Sequence, residues 1–181
     1  MPIGQLPPLT HRVENVRSNK AQRVALWNVV RQYTGHPQLV EWAAKLIREA
    51  NVPARDPAAL ARAVQKYAQD HVKFFRERPE RFASPLRTLS WGIGDCDDKT
   101  ILIATVLRSF RIPVRAVFIR YVSREKDGSE KQVSHVFPEF RDTNGQWLAL
   151  ESVHDWAMGD SPLERARKRG IVPIHVETIG P

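Results

Sequence analysis

Three successive segments in the first half of the chain have apolar residues at the spacing of one helical face. The first segment begins at Asn19 and ends at Gly35, the second begins at Pro37, and the third follows Asp56. Asn and Asp are favoured caps at helix starts, Pro is favoured at the first helical position, and Gly commonly ends a helix. The pattern therefore predicts three short helices over residues 19–72.

The periodicity breaks up between Phe74 and Ser90, where Pro79, Pro85 and several arginines interrupt it. We expect an irregular segment here that crosses the surface and lines a substrate groove. The next apolar run has Ile103 and Val106 on one helical face, and two glycines and Asp95 precede it. This pattern predicts a loop that becomes a buried helix at about residues 95–97.

The second half of the chain is typical of β-structure. Residues 114–122, 132–141 and 146–153 are rich in strand-forming residues, and the turn sequence from Asp142 to Gly145 separates the last two. They predict an antiparallel meander. Residues 161–168 should add a short helix, and residues 171–178 an extended tail that could add an edge strand. The predicted fold class is therefore α+β, with N-terminal helices and a central helix packed on a small antiparallel sheet.

The chain has 181 residues, enough for one domain with its own core. We expect an extended arm at 1–18 and a single domain at 19–170. That domain would divide into a helical part, 19–72, and a core at 73–160 that holds the candidate chemistry. The tail would be 171–181.

The net charge is +8, but the basic residues are spread along the chain. The densest cluster, Arg165–Arg169, is typical of a solvated helix face, so nucleic-acid binding is disfavoured. No apolar run approaches the roughly 20 residues of a membrane span, and residues 1–8 lack the pattern of a signal peptide. These observations predict a cytoplasmic protein with no membrane partner.

Cys96 is the only cysteine, which excludes an internal disulfide and a Cys-rich zinc site. The predicted helix places it at an N-terminus, where free N–H groups and the helix dipole favour a thiolate. Asp95, Asp97 and Asp98 oppose this with negative charge unless they cap the helix. A single cysteine is, however, more often a small buried apolar residue.

The predicted hairpin supplies partners for the cysteine. His135 lies in its first arm, opposite some residue between Glu151 and His154. Thiol chemistry on amides needs an imidazole to take the proton, a carboxylate to orient the imidazole, and N–H groups to bind the oxyanion. The sequence offers all three.

No cofactor and no metal is predicted. A metal site built from Cys96, Asp97, Asp98 and His135 is disfavoured, because three adjacent residues do not easily converge on one ion. Neither an EF-hand nor a zinc spacing is present.

Three motifs carry a resemblance to a known family. Residues 94–98 (GDCDD) before an apolar helix, residues 134–140 (SHVFPEF) and residues 145–151 (GQWLALE) resemble the core of the transglutaminase-like superfamily, in particular compact members from phage and bacterial genomes. The resemblance implies that Cys96 is the nucleophile, His135 the general base and acid, and Glu151 the orienting acid.

The chain departs from the family pattern at Glu151, where Asp is usual, and Asp155 is the fallback for the orienting role. The resemblance also implies an oxyanion site made by the backbone N–H of Cys96 and an upstream donor, for which Trp91 is a candidate.

The resemblance implies a cysteine peptidase or amidase that hydrolyses peptide bonds through a thioester, rather than a crosslinking enzyme. The alternative is a non-catalytic phage structural or assembly protein, located in the host cytoplasm or the virion. In that case the arm and the tail would bind other phage structural proteins.

Overall fold

The computed structural model describes residues 11–12, 19–76, 81–124 and 127–180. Its helices are α1 (Asn19–Tyr33), α2 (Pro37–Glu49), α3 (Pro57–His71), α4 (Pro85–Trp91), α5 (Cys96–Ser109) and α6 (Pro162–Lys168). Its strands are β1 (His11–Arg12), β2 (Lys73–Phe74), β3 (Arg81–Phe82), β4 (Ile93–Gly94), β5 (Val114–Arg124), β6 (Glu130–Arg141), β7 (Trp147–Ala149) and β8 (His175–Ile179). This arrangement confirms the α+β class.

Helix α5 is the centre of the fold. Every residue from Ile101 to Leu107 is buried, so this part of the helix is surrounded by protein on all sides. Leu102, Ile103 and Val106 are completely buried. The helix contacts α1, α3 and α4 on one side and β6 on the other. Cys96 is therefore the first residue of a helix that is buried along most of its length.

The main sheet is antiparallel and has the strand order β7-β6-β5-β8. In the β5–β6 pair, Ile119 lies opposite His135. Strand β8 pairs with the free side of β5, so the C-terminal tail supplies the edge strand that its pattern suggested. The long β5–β6 pairing fixes the position of His135 along the sheet.

Two expectations from the sequence are wrong. The segment 74–90 is not irregular throughout, because Ser84 accepts a hydrogen bond from the N–H of Arg87 at 3.2 Å and Pro85 begins the short helix α4. The third strand is much shorter than 146–153. It ends at Ala149, and the carbonyl groups after it bind side chains of α3 and α5 instead of another strand.

The predicted arm at 1–18 lies mostly outside the described residues. Within it, β1 pairs with β3, with His11 opposite Phe82. The proposed domain boundaries stay a prediction. In the described ranges, no helix combines the length and the apolarity needed to cross a bilayer.

Candidate active site

The N-terminus of α5 is held by a reciprocal capping box. The carboxylate of Asp95 accepts hydrogen bonds from the N–H groups of Asp97 at 3.0 Å and Asp98 at 3.3 Å. The carboxylate of Asp98 accepts bonds from the N–H groups of Asp95 at 3.4 Å and Ala83 at 2.7 Å. Two of the three acids around Cys96 are thus bound to backbone N–H groups, as capping of the helix requires.

Two glycines allow the chain to reach this cap. Gly92 ends α4 with a φ of +62°, and its N–H donates to the carbonyl of Thr88 at 2.9 Å. Such a left-handed conformation is strained for residues with a side chain. Gly94 packs directly on Asp98, and a Cβ atom there would lie 2.9 Å from the Cβ of Asp98. The glycines before Cys96 are therefore explained by backbone geometry.

His135 and Glu151 form a hydrogen-bonded pair. The distance from Nε2 of His135 to Oε2 of Glu151 is 2.7 Å. The Glu151 side chain is completely buried, and 15% of the His135 side chain is exposed. The other carboxylate oxygen of Glu151 accepts bonds from the N–H groups of Val153 at 2.6 Å and His154 at 3.2 Å. The carboxylate is therefore fixed at both oxygens.

The pKa of Glu151 results from two opposing effects. Burial raises it, but the hydrogen bond and charge of His135 and the N–H groups of Val153 and His154 lower it by more. The net pKa lies below the ordinary value for glutamate. The buried acid is therefore ionised at neutral pH and can stabilise an imidazolium beside it.

Cys96, His135 and Glu151 all line one groove, which has a volume of about 720 Å³. Phe74 and Trp156 also line it. The half-exposed Phe74 offers an apolar surface beside a polar centre, which is common in ligand sites. A thiol, an imidazole and a carboxylate in one groove can carry out nucleophilic attack on a carbonyl group.

The other predicted site residues lie elsewhere. The side chain of Asp155 is 84% exposed, and its carboxylate lies 3.8 Å from Nζ of Lys66. The ring of Trp91 is covered by the guanidinium of Arg87, which lies 3.6 Å from the ring centroid. Neither residue lines the groove in the part of the chain described here. The roles given to Cys96, His135, Glu151 and the oxyanion donors stay predictions.

Three polar residues beside the site were missed by the sequence analysis. Gln65 and Lys99 are each only 2% exposed, and Gln69 lies one turn after Gln65 on α3. All three donate hydrogen bonds to backbone carbonyls of residues 151–156. A lysine within the first turn of a helix that is predicted to be buried was the available indication for Lys99.

The geometry also corrects the argument made against a metal. The ligand atoms of Asp95, Cys96 and Asp97 lie within 4.8 Å of one another, so adjacent residues do converge here. The Asp95 carboxylate already accepts the two capping bonds of α5.

The substitution Asp95→Asn should separate the capping role of this residue from its charge. Asn caps helices as well as Asp does, so the free energy of unfolding should change by less than about 0.5 kcal/mol. Removing one negative charge beside the sulfur should raise the rate of Cys96 alkylation by iodoacetamide at about pH 6 by about threefold. The measurement is the alkylation rate by mass spectrometry. An unchanged rate in a folded variant would show that the Asp95 charge does not reach the thiol.

Comparison with known proteins supports the assignment of this fold. The family model described as the transglutaminase-like superfamily matches residues 44–152, more than half of the chain. No curated protein matches the sequence.

Among solved structures, a candidate cysteine protease from Cytophaga hutchinsonii is 15% identical, with a TM-score of 0.49, and the match covers 83% of this chain and 55% of that one. Calcium-bound LapG from Legionella pneumophila is 15% identical, with a TM-score of 0.50 and coverage of 85% and 82%. A candidate protease from Parabacteroides distasonis is 12% identical, with a TM-score of 0.51 and coverage of 74% and 26%. The chain thus spans about half of the first of these proteins.

Proposed function

Because the chain belongs to the transglutaminase-like superfamily, we propose that it is a cysteine peptidase or amidase that hydrolyses amide bonds through a thioester on Cys96. The observation that carries this proposal is the 2.7 Å hydrogen bond between His135 and Glu151 in the groove that Cys96 also lines. A buried carboxylate bound to an imidazole is the arrangement that general acid–base catalysis by histidine requires.

The hydrogen bond to Glu151 determines which nitrogen of His135 can exchange a proton with Cys96. Since Nε2 faces the carboxylate, Nδ1 is the nitrogen that exchanges a proton with the thiol. The proton moves from the sulfur of Cys96 to Nδ1, which leaves a thiolate and an imidazolium. Glu151 stabilises this cation and stays ionised throughout.

The thiolate then attacks the carbonyl carbon of the bound amide, and the negative charge moves to the carbonyl oxygen. When the tetrahedral intermediate collapses, the C–N bond breaks and the imidazolium gives its proton to the leaving amine. A thioester on Cys96 and a free amine result. Water attacks the thioester next, His135 takes the proton from the water, and the acid product leaves as the thiolate reforms.

Hydrolysis is proposed rather than crosslinking, because the sequence shows no recognisable acceptor-amine site and a solved structure of similar fold is described as a candidate protease. The substrate is a protein or peptide segment. The mixed lining of the groove suits such a segment, because Phe74 offers an apolar surface and Arg165, whose guanidinium lies over the ring of Trp156 at 4.2 Å, offers a charge.

A peptide-library digestion tests the proposal. Incubation with a mixture of unmodified peptides should produce new amino termini, detected by mass spectrometry, and the Cys96→Ala protein should produce none. A fluorescent primary amine added to the same reaction should not be incorporated into glutamine-containing peptides. Incorporation without cleavage would replace hydrolysis by crosslinking as the activity.

The second candidate function is a non-catalytic phage structural or assembly module. The observation that favours it is the row of exposed apolar side chains at and before the edge strand β8, Val172, Ile174 and Val176. In that case Cys96 would titrate as an ordinary thiol, and neither cleavage nor amine incorporation would occur.

A further inference from the structure

The loop that carries Glu151 has no regular structure of its own. We call residues 150–156 the acid loop; they follow β7 and contain neither helix nor strand. A carboxylate on an irregular loop keeps its orientation only if other elements hold the loop backbone. What fixes the acid loop therefore also fixes the bond between Glu151 and His135.

Two glutamines of α3 hold one side of the acid loop. The side-chain nitrogen of Gln65 donates to the carbonyl of Glu151 at 2.8 Å, and that of Gln69 donates to the same carbonyl at 2.9 Å. Both also donate to the carbonyl of Trp156, at 3.1 and 3.0 Å. The main chain of Glu151 is thus attached to α3.

Lys99 holds the other side, and it comes from the helix that carries the nucleophile. It lies one turn after Cys96 on α5. Its Nζ donates to the carbonyl of Ser152 at 2.8 Å and to that of Ala68 on α3 at 3.0 Å. Two of the three donors of the ammonium group are used in this way. One side chain therefore joins α5, α3 and the acid loop.

The charge of Lys99 would be costly at this position without compensation. The residue is 2% exposed, and burying an ammonium group disfavours its charged form. Burial accordingly lowers the pKa of Lys99, while the nearby Glu151 carboxylate raises it. Glu151 is therefore bound to His135 on β6 and lies within electrostatic reach of Lys99 on α5. A purely structural anchor would not need a cation, since a neutral amide could donate to the same carbonyls.

We propose that Lys99 is a positioning residue, which joins the Cys96 helix to the acid loop and thereby keeps Glu151 directed at His135. This role rests on the proposed function, because it concerns the same three side chains. It acts through the carbonyl of Ser152, one residue after the acid, and through the electrostatic attraction between the ammonium group and the carboxylate. In this role Lys99 acts through the acid loop and takes no part in the bond changes.

The test compares Lys99→Met, which keeps the size but removes the charge and the donors, with the intact protein. The first readout is the NMR signal of the His135 Nε2 proton, identified by its absence in His135→Ala. If Lys99 positions the acid loop, Lys99→Met should increase the exchange of this proton with water by about tenfold or more. The second readout is the pH profile of Cys96 alkylation. In Lys99→Met the alkylation rate at about pH 6 should fall, while the rate above about pH 9 should stay unchanged.

Lys45→Met is the matched control, because Lys45 on α2 is exposed and pairs with Glu49 on the same helix, away from the acid loop. It should leave both readouts unchanged. If Lys99→Met does not fold, Lys99→Gln tests the charge alone, since a glutamine can still donate to the carbonyls. Exchange of the His135 proton should then still rise, but by less than tenfold. A folded variant that is less stable but keeps the His135 proton and the pH profile of the intact protein would overturn the proposal.

The two readouts separate this inference from the proposed function. The His135 signal reports the bond to Glu151 even in a protein that cleaves nothing. Loss of that signal in Lys99→Met together with absence of cleavage by the intact protein would uphold the positioning role and refute the peptidase. Cleavage by the intact protein, together with an unchanged His135 signal in Lys99→Met, would support the peptidase and refute the positioning role.

Discussion

The substitution His135→Ala should reduce the cleavage of any peptide substrate by about a thousandfold, because it removes both the base that ionises the thiol and the acid that protonates the leaving amine. His135 is the imidazole that the groove places with Cys96 and that is bound to a buried acid. Alkylation of Cys96 needs only the first of these steps, so its rate should fall less.

The expected loss in alkylation can be derived from the thiolate fraction. A free thiol with a pKa of about 8.5 is roughly 0.3% ionised at pH 6, whereas a thiol paired with an imidazolium is mostly ionised. A thiolate of lower basicity is also a weaker nucleophile, and this offsets much of the gain. The net effect of His135→Ala at about pH 6 is therefore about tenfold, measured with iodoacetamide and mass spectrometry.

His71→Ala is the control for this substitution. His71 is exposed at the end of α3, where its ring packs on Tyr67 at a centroid distance of 4.6 Å, and it does not line the groove among the described residues. In the His71→Ala protein, Cys96 should be alkylated by iodoacetamide, and peptides should be cleaved, at the rates found for the intact protein. Equal effects of the two substitutions would mean that His135 has no special relation to the cysteine.

The substitution Glu151→Ala should lower the free energy of unfolding at neutral pH by about 3 kcal/mol. It removes a fully buried carboxylate and leaves the His135 ring and the N–H groups of Val153 and His154 without their acceptor. Urea unfolding measures this difference. Glu49→Ala is the control, since its carboxylate is exposed and pairs with Lys45 on the same helix, and it should contribute about 1 kcal/mol or less.

The same residue predicts a dependence of stability on pH. The pKa of Glu151 is lower in the folded protein than in the unfolded chain, where it is about 4.3. Its contribution is therefore fully present above about pH 4.3 and is lost as the pH falls through the lowered folded-state value. Glu151→Gln should lose less stability than the intact protein on acidification below about pH 4.3. Parallel losses in the two proteins would contradict the assigned ionisation of Glu151.

Local sequence signals sufficed to predict the position of Cys96, the proposed nucleophile. The glycines and Asp95 before an apolar run predicted a helix start, and the structure begins α5 at Cys96. The turn between Asp142 and Gly145 set the pairing of β6 with β7, and this brings Glu151 to His135. Both features depend on residues close together in the sequence, which is why the pattern reveals them.

The features that the sequence did not reveal depend on contacts between distant segments. Strand β7 ends at Ala149. The carbonyls of the residues that would have continued it accept hydrogen bonds from Gln65, Gln69 and Lys99 instead of from a neighbouring strand. These side chains lie more than 50 residues away in the sequence. Periodicity places Gln65 and Lys99 on helices but cannot show which backbone groups they meet.

The most direct test of the account is the pH titration of the thiolate ultraviolet absorbance of Cys96, with Cys96→Ala as the blank. The chain contains one cysteine, so the difference spectrum reports that residue alone. We expect the thiolate to persist below about pH 6 in the intact protein, and we expect Glu151→Gln and His135→Ala both to move its appearance to higher pH. A thiolate that appears only near about pH 8.5 and is unaffected by both substitutions would contradict this expectation.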